Sequence, residues 1–164
     1  GIRKRSKRDH APYDDWVAKG VLEATEGDAV DQEKIRERIL ELRSLYDIRE
    51  IGFDDWNTAY IAPKLASDGL TLVPIRQTFK ALSGATKHLE RAVLRGQIRH
   101  GGHPVLRWCV ANTVVESDGP ENVKPSKKKS TERIDLTVAL VMAMSRAMVS
   151  DGPSVYESRG VLAF

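Results

Sequence analysis

Two aspartates stand out as groups that could do chemistry. Asp54 closes the run Ile48-Arg49-Glu50-Ile51-Gly52-Phe53, and Asp135 opens an apolar run from Leu136 to Met144. If the first run is a strand, Asp54 emerges at its C-terminal end, the edge where open α/β sheets deliver side chains into a ligand crevice. Asp135 is expected to share a helix face with Val138, Ala139 and Met142, which would bury a carboxylate at high cost unless a cation or donors meet it. Between the two acids lies a cationic block, Lys124, Lys127, Lys128 and Lys129. Two carboxylates facing one crevice beside lysines point to Mg²⁺ or Mn²⁺ held by oxygen ligands. A pair of such ions about 3.5–4 Å apart would activate water and stabilise the leaving oxygen in phosphodiester cleavage. Each residue also has a plainer reading. Asp54 or Asp55 would cap the helix that follows, Asp135 would complement a helix dipole, and the lysines would form a solvated segment.

Other chemistries have less support. His100, His103 and Cys109 are three borderline ligands at irregular spacing with no Cys-x-x-Cys, a poor zinc pattern. They read better as parts of a Gly-rich turn and as a small core residue. There is no Gly-x-x-x-x-Gly-Lys-Ser/Thr phosphate loop and no Gly-x-Ser-x-Gly elbow. Trp16, Trp56 and Trp108 sit in apolar, periodic contexts and read as core anchors.

The elements that must position these groups follow from periodicity and punctuation. A short helix starts at Pro12 and ends near Gly20. From Asp31, Ile35, Ile39, Leu42 and Tyr46 form one apolar stripe on a helix of about four turns that should pack on a neighbour. Residues 48–53 read as a strand, Asn57 to Ser67 as a helix closed by Gly69, and residues 70–75 as a second strand. That order, with short connections, is a right-handed βαβ unit with parallel strands. Further helices are expected over Thr86 to Arg95, over Val105 to Ala111 and from Glu132 to Val149, the last with Ser130 and Thr131 as capping residues. Val114-Val115 and Val123 flank Asp118-Gly119-Pro120 as a hairpin or loop. Residues 1–149 read as one α/β domain and 150–164 as an irregular tail.

Composition bounds the rest. The chain has 164 residues, 41% hydrophobic and 30% charged, which suits one folded domain and excludes whole-chain disorder. No apolar run approaches the roughly 20 residues of a membrane span, and the basic N-terminus leads into no apolar segment of the secretory kind. The single cysteine, Cys109, allows no internal disulfide. Net charge is +3, but Arg3, Lys4, Arg5, Lys7, Arg8 and the four lysines near 127 account for nine of 26 cations. The other 17 face 23 acids, so the body is acidic with two basic segments set against it. Such segments suit a polyphosphate backbone.

Taken in order, several segments resemble the nuclease domain of the tailed-phage terminase large subunit. They are Pro12-Tyr13-Asp14-Asp15-Trp16, Ile51-Gly52-Phe53-Asp54-Asp55-Trp56-Asn57, Gly96-Gln97-Ile98-Arg99-His100, Pro104-Val105-Leu106-Arg107-Trp108, Asn112, and Lys127-Lys128-Lys129-Ser130 before Arg133-Ile134-Asp135. The resemblance implies a ribonuclease H-like fold, a mixed sheet flanked by helices, that cuts concatemeric double-stranded phage DNA during packaging with Mg²⁺ or Mn²⁺. It places Asp54 and Asp135 as the second and third acids of a carboxylate cluster and the lysines at DNA phosphates. It also implies the terminase small subunit, the portal and the large subunit's ATPase domain as partners, in the cytoplasm of a bacterial host. By the same resemblance the first strands and the first acid are expected upstream of Gly1, and a chain lacking them would be an impaired nuclease. The rival expectation is a DNA-binding or assembly module without catalysis.

Overall fold

The computed structural model describes residues 1–25, 27, 30–54, 58–119 and 121–150. Asp55, Trp56 and Asn57, Pro120 of the expected turn, and the tail beyond Ser150 lie outside the described residues. The architecture is mixed α/β, in the order α1 (Ile2–Arg8), α2 (Tyr13–Ala18), α3 (Gln32–Leu45), β1 (Ile51–Phe53), α4 (Ile61–Ser67), β2 (Leu72–Pro74), α5 (Phe79–Leu94), α6 (Pro104–Asn112), β3 (Val115–Asp118), β4 (Asn122–Pro125) and α7 (Asp135–Ser150).

β1 and β2 pair in parallel, with Ile51 opposite Leu72, Gly52 opposite Val73 and Phe53 opposite Pro74, and α4 makes the crossover. The expected βαβ unit is present with shorter strands. Its rungs include Ile51 N–H to Thr71 O at 2.8 Å and Ile75 N–H to Phe53 O at 2.7 Å. β3 and β4 form the expected hairpin, antiparallel, with Glu116 facing Lys124. The main core lies where α5 and α7 pack together against Ile75 just past β2; Leu82, Ile134 and Val141 are each 1% exposed there. A second apolar cluster joins Ala11, Trp16, Val105 and Cys109 with Tyr13 and Trp108. Trp16 meets both Tyr13 and Trp108 edge-on with ring centroids 5.7 Å apart, so Trp16 and Trp108 serve as core anchors, the apolar task their rings suit.

The basic N-terminal segment, to which the sequence assigned no secondary structure, is a helix, α1. Three expectations change. α5 begins at Phe79, about two turns before the expected start at Thr86, and is capped by Thr78, whose side chain accepts the Ala81 N–H at 3.2 Å. Ser83 and Gly84 hid those turns, because small residues weaken the helical pattern. Ser83 is buried there, and its hydroxyl takes the Val123 N–H of β4 at 3.1 Å. α7 starts at Asp135 and not at Glu132. Ser130, expected as a cap, instead accepts the Val114 N–H and donates to the Ser126 carbonyl. Finally, α3 has no buried residue: Ile35 is 41% and Tyr46 66% exposed. Polar ties hold it, above all the two 2.6 Å hydrogen bonds from Arg36 to Asp68 at the end of α4.

Candidate functional site at the β1 and α7 ends

Asp54 follows β1 directly and is half-buried. Gln77, three residues past β2, donates from Nε2 to Asp54 Oδ2 at 2.6 Å, so the two parallel strands deliver an acid and its donor to one edge. The Gln77 carbonyl accepts from Lys124 Nζ at 3.3 Å. Lys124 also lies 3.3 Å from Glu116 across the hairpin and 5.1 Å from the Phe79 ring centre. With both side chains only 21% exposed, this is a part-buried cross-strand pair. Burial pushes the Glu116 carboxyl up, but its bonds to Lys124 and Ser126 and the charge of Lys129 outweigh that and hold it below the usual carboxylate range.

The turn after β4 presents the other lysines. Ser126, 2% exposed, anchors it: its N–H binds the Val114 carbonyl, its own carbonyl takes Ser130 N–H, and its hydroxyl takes Lys129 N–H. Lys127, Lys128 and Lys129 are exposed on that turn. Lys127 Nζ reaches Asp135 Oδ1 at 3.0 Å, and Lys129 Nζ stands 3.8 Å from Glu116. The expected burial of Asp135 is overturned, since its side chain is 63% exposed. As the first residue of α7 it sits at the edge of the stripe, whose buried positions are Ile134, Thr137, Val138, Val141 and Met142.

The structure therefore links the two acids through one segment: Asp54 through Gln77 to Lys124, and Asp135 through Lys127. Among the described residues no three His, Cys, Asp or Glu side chains converge so as to hold a metal ion. Of the residues weighed for zinc, His103 caps α6 by accepting the Leu106 N–H at Nδ1, and Cys109 is 3% exposed with its thiol pushed up by burial. Sequence reasoning missed Gln77, because a neutral residue adds nothing to a charge cluster. It missed Glu116 too, although facing positions of a hairpin are a readable signal for such a pair.

Beside the α7 start lies a second polar cluster. Asp9, 7% exposed, accepts from Arg8 Nε at 2.6 Å, Arg8 Nη2 at 3.1 Å and the Tyr13 hydroxyl at 3.2 Å, with Arg133 Nε at 3.7 Å. The Arg8 guanidinium holds the Asp9 carboxyl below the ordinary aspartate range. Burial, with Asp9 adding to it, pushes the Tyr13 hydroxyl up to about 12.

Comparison with known proteins decides the family. The model of the terminase large subunit, endonuclease domain, matches residues 1–151. The chain belongs to the terminase endonuclease-domain family. The terminase large subunit of Enterobacteria phage HK97 is 38% identical over 148 residues, 89% of this chain and 29% of that protein. Protein YmfN of Escherichia coli strain K12 is 32% identical over 149 residues, 90% of this chain and 33% of that protein. The crystal structure of the HK97 bacteriophage large terminase superposes with a TM-score of 0.81, covering 88% of this chain and 30% of that one. This terminase domain thus spans about a third or less of the length of the relatives it matches.

Proposed function

We propose that this domain is a ribonuclease H-like, divalent-metal-dependent endonuclease that cuts concatemeric double-stranded DNA during phage genome packaging. The observation that carries the reading is the endonuclease-domain match across residues 1–151. In this reading Asp54 and Asp135 are carboxylate ligands of Mg²⁺ or Mn²⁺, hard-oxygen donors of the kind those ions take. The two acids do not complete such a site by themselves, since no three ligands converge among the described residues. No step through an ion is therefore derived. The bound ions would supply activation of water and charge stabilisation at phosphorus. The chain's own part is to hold Asp54 in one orientation through Gln77 and to present Lys127, Lys128 and Lys129 to phosphates. Lys124 belongs to the same lysine group, but its partners Glu116 and the Gln77 carbonyl suit it to bracing that surface from beneath. The terminase small subunit, the portal and an ATPase domain are the proposed partners, and the bacterial cytoplasm the place of action. Among the described residues no helix is long and apolar enough to cross a membrane.

The test is nicking of supercoiled plasmid in Mg²⁺ or Mn²⁺ by the chain and by its Asp54→Asn and Asp135→Asn forms. Metal-dependent cutting that either substitution abolishes, with DNA binding retained, supports the reading. Undiminished cutting by both variants sinks the site. DNA binding that survives both substitutions, with no cutting by any form, replaces the nuclease with a binding or assembly module.

A further inference from the structure

α1 is an unusual helix for a folded domain. Five of its seven residues are Arg or Lys, and no acid stands in its first turn. At about 100° per residue, Ile2, Ser6 and the C-capping Asp9 fall within an arc of about 60°, while Arg3, Lys4, Lys7 and Arg8 spread over about 140° on the opposite side. The structure follows that division. Ile2 and Ser6 are half-buried, Asp9 is buried, and all five cations are exposed. Ser6 donates to Asp14 at 3.2 Å, and Asp9 ties the helix end to Tyr13 and Arg133. So α1 is docked by one face and presents cations on the other.

Local electrostatics do not account for that outer face. Cations in the last turn complement the helix dipole, which covers Lys7 and Arg8, but Arg3 and Lys4 stand in the first turn, where acids are favoured. Like charges three and four residues apart also repel. Arg8 is neutralised by Asp9, whereas Arg3, Lys4 and Lys7 have no acid within ion-pair reach among the described residues. A face of this kind gains stability opposite a polyanion, where each phosphate neutralised releases counterions. A lipid surface fits poorly, because interfacial helices turn an apolar face to the membrane and the apolar residue of α1, Ile2, faces the protein. The position of α1 supports the same partner as the lysine turn. Asp9 is 3.7 Å from Arg133, which stands two residues before Asp135, and Asp135 pairs with Lys127.

We propose that α1 is a second contact for the phosphate backbone of duplex DNA, anchored by the Asp9–Arg133 joint at the same end of the molecule as Lys127 to Lys129. The identity of the polyanion rests on the DNA reading above; the exposed cationic face does not. The experiment measures binding of the chain to a fluorescent blunt duplex over a range of salt, in EDTA so that nothing is cut. The Arg3→Gln/Lys4→Gln/Lys7→Gln form should lower the slope of log K against log salt by about 2–3, at about 0.9 per phosphate contact, and weaken binding in about 0.1 M salt by about tenfold or more. Its melting temperature should not fall, because the three side chains are exposed and their removal relieves repulsion within α1. The Lys127→Gln/Lys128→Gln/Lys129→Gln form should lower the slope independently, and the two effects should add. An unchanged slope in the α1 form overturns the proposal, as does a loss seen with anionic lipid vesicles and not with duplex DNA. The two readings fail separately: an α1-dependent slope without cutting in Mn²⁺ refutes the nuclease and keeps the contact, while cutting with an unaltered slope does the reverse.

Discussion

Replacing Gly52 with alanine should destabilise the domain through a single methyl group. Gly52 is the middle residue of β1, and its backbone is not in the left-handed region, so alanine meets no conformational barrier there. Space is the obstacle. A Cβ at Gly52 would stand 2.5 Å from Ile75 Cδ1, 3.6 Å from Ile75 Cγ1 and 3.7 Å from Arg146 Cγ. Carbon atoms in contact prefer about 3.5–4.0 Å, so Cδ1 must retreat by about 1 Å. Ile75 is 7% exposed and packed with Leu82, Ile134 and Val138, and such overpacking costs about 1–3 kcal/mol. The lower chain entropy of unfolded alanine returns about 0.4–1 kcal/mol, which at the middle of both ranges leaves a net loss of about 1.3 kcal/mol. Ile75→Val deletes Cδ1, the atom in the way, and by itself should cost about 0.5–1.5 kcal/mol. In the double variant the clash is gone, so the two losses should fall short of additivity by about 1 kcal/mol. Urea unfolding followed by far-UV circular dichroism, with the m-value constant across the four proteins, gives each term. A Gly52→Ala protein as stable as the parent, or an additive double variant, would refute the packing argument.

Leu82→Ala should cost about 2–5 kcal/mol in the same assay, because the side chain is 1% exposed in the α5–α7 core. Leu94→Ala, at an 80% exposed position on the same helix, should stay within about 0.5 kcal/mol. Gln77→Leu removes the donor to Asp54 and should lower metal-dependent plasmid nicking by about 10–100-fold while leaving duplex binding in EDTA unchanged; equal nicking would mean that the bond does not serve Asp54 in cleavage. Asp9 carries a pH signature. Its carboxyl is held below the ordinary range by Arg8, so its contribution is fully present above the unfolded aspartate value of about 3.9 and is lost as pH falls through the lower folded value. Asp9→Asn should therefore be less stable than the parent near neutrality, with the gap closing on acidification below about pH 4 in melts taken at successive pH values.

Much of the frame was legible in the sequence because punctuation and period agreed. The short runs around Ile51 and Leu72, with Gly69 stopping the helix between, leave one crossover unit; Asp31 marks a helix start that the structure keeps, and α6 starts at Pro104, one residue before the expected Val105. What stayed hidden depends on neighbours distant in sequence. The early turns of α5 contain Ser83 and Gly84, and the first of these is buried with its hydroxyl on the Val123 N–H of β4, which local propensity cannot register. Asp135 was placed on the right element with the wrong exposure, because the buried stripe centres on Ile134, Val138 and Val141, about 100° round the helix from Asp135, whose neighbour one turn on, Ala139, is exposed as well. Asp54 was found by its position after a strand, but Gln77 reaches it only through the parallel register of β1 and β2, which fixes where a residue three places past β2 arrives. The cations at 3 to 8 were read as a charged segment; their helical form rests on the inner contacts of Ile2, Ser6 and Asp9.

The two apolar clusters have a consequence for how the molecule comes apart. One clamps α5, α7 and Ile75, while the other gathers α2 and α6 around Trp16 and Cys109, and a 3.0 Å hydroxyl bond from Thr113 to Thr137 joins their neighbouring helices. Tyr13 belongs to the smaller cluster and also donates to Asp9, so the anchorage of α1 depends on that corner. Local openings of such contiguous units can precede complete unfolding. Loosening of that corner would remove the Tyr13 tie to Asp9 while leaving the contacts of the α5–α7 core and the β1–β2 edge in place. Residence on a polyanion would then be timed by the breathing of a few aromatic rings and not by the melting of the fold.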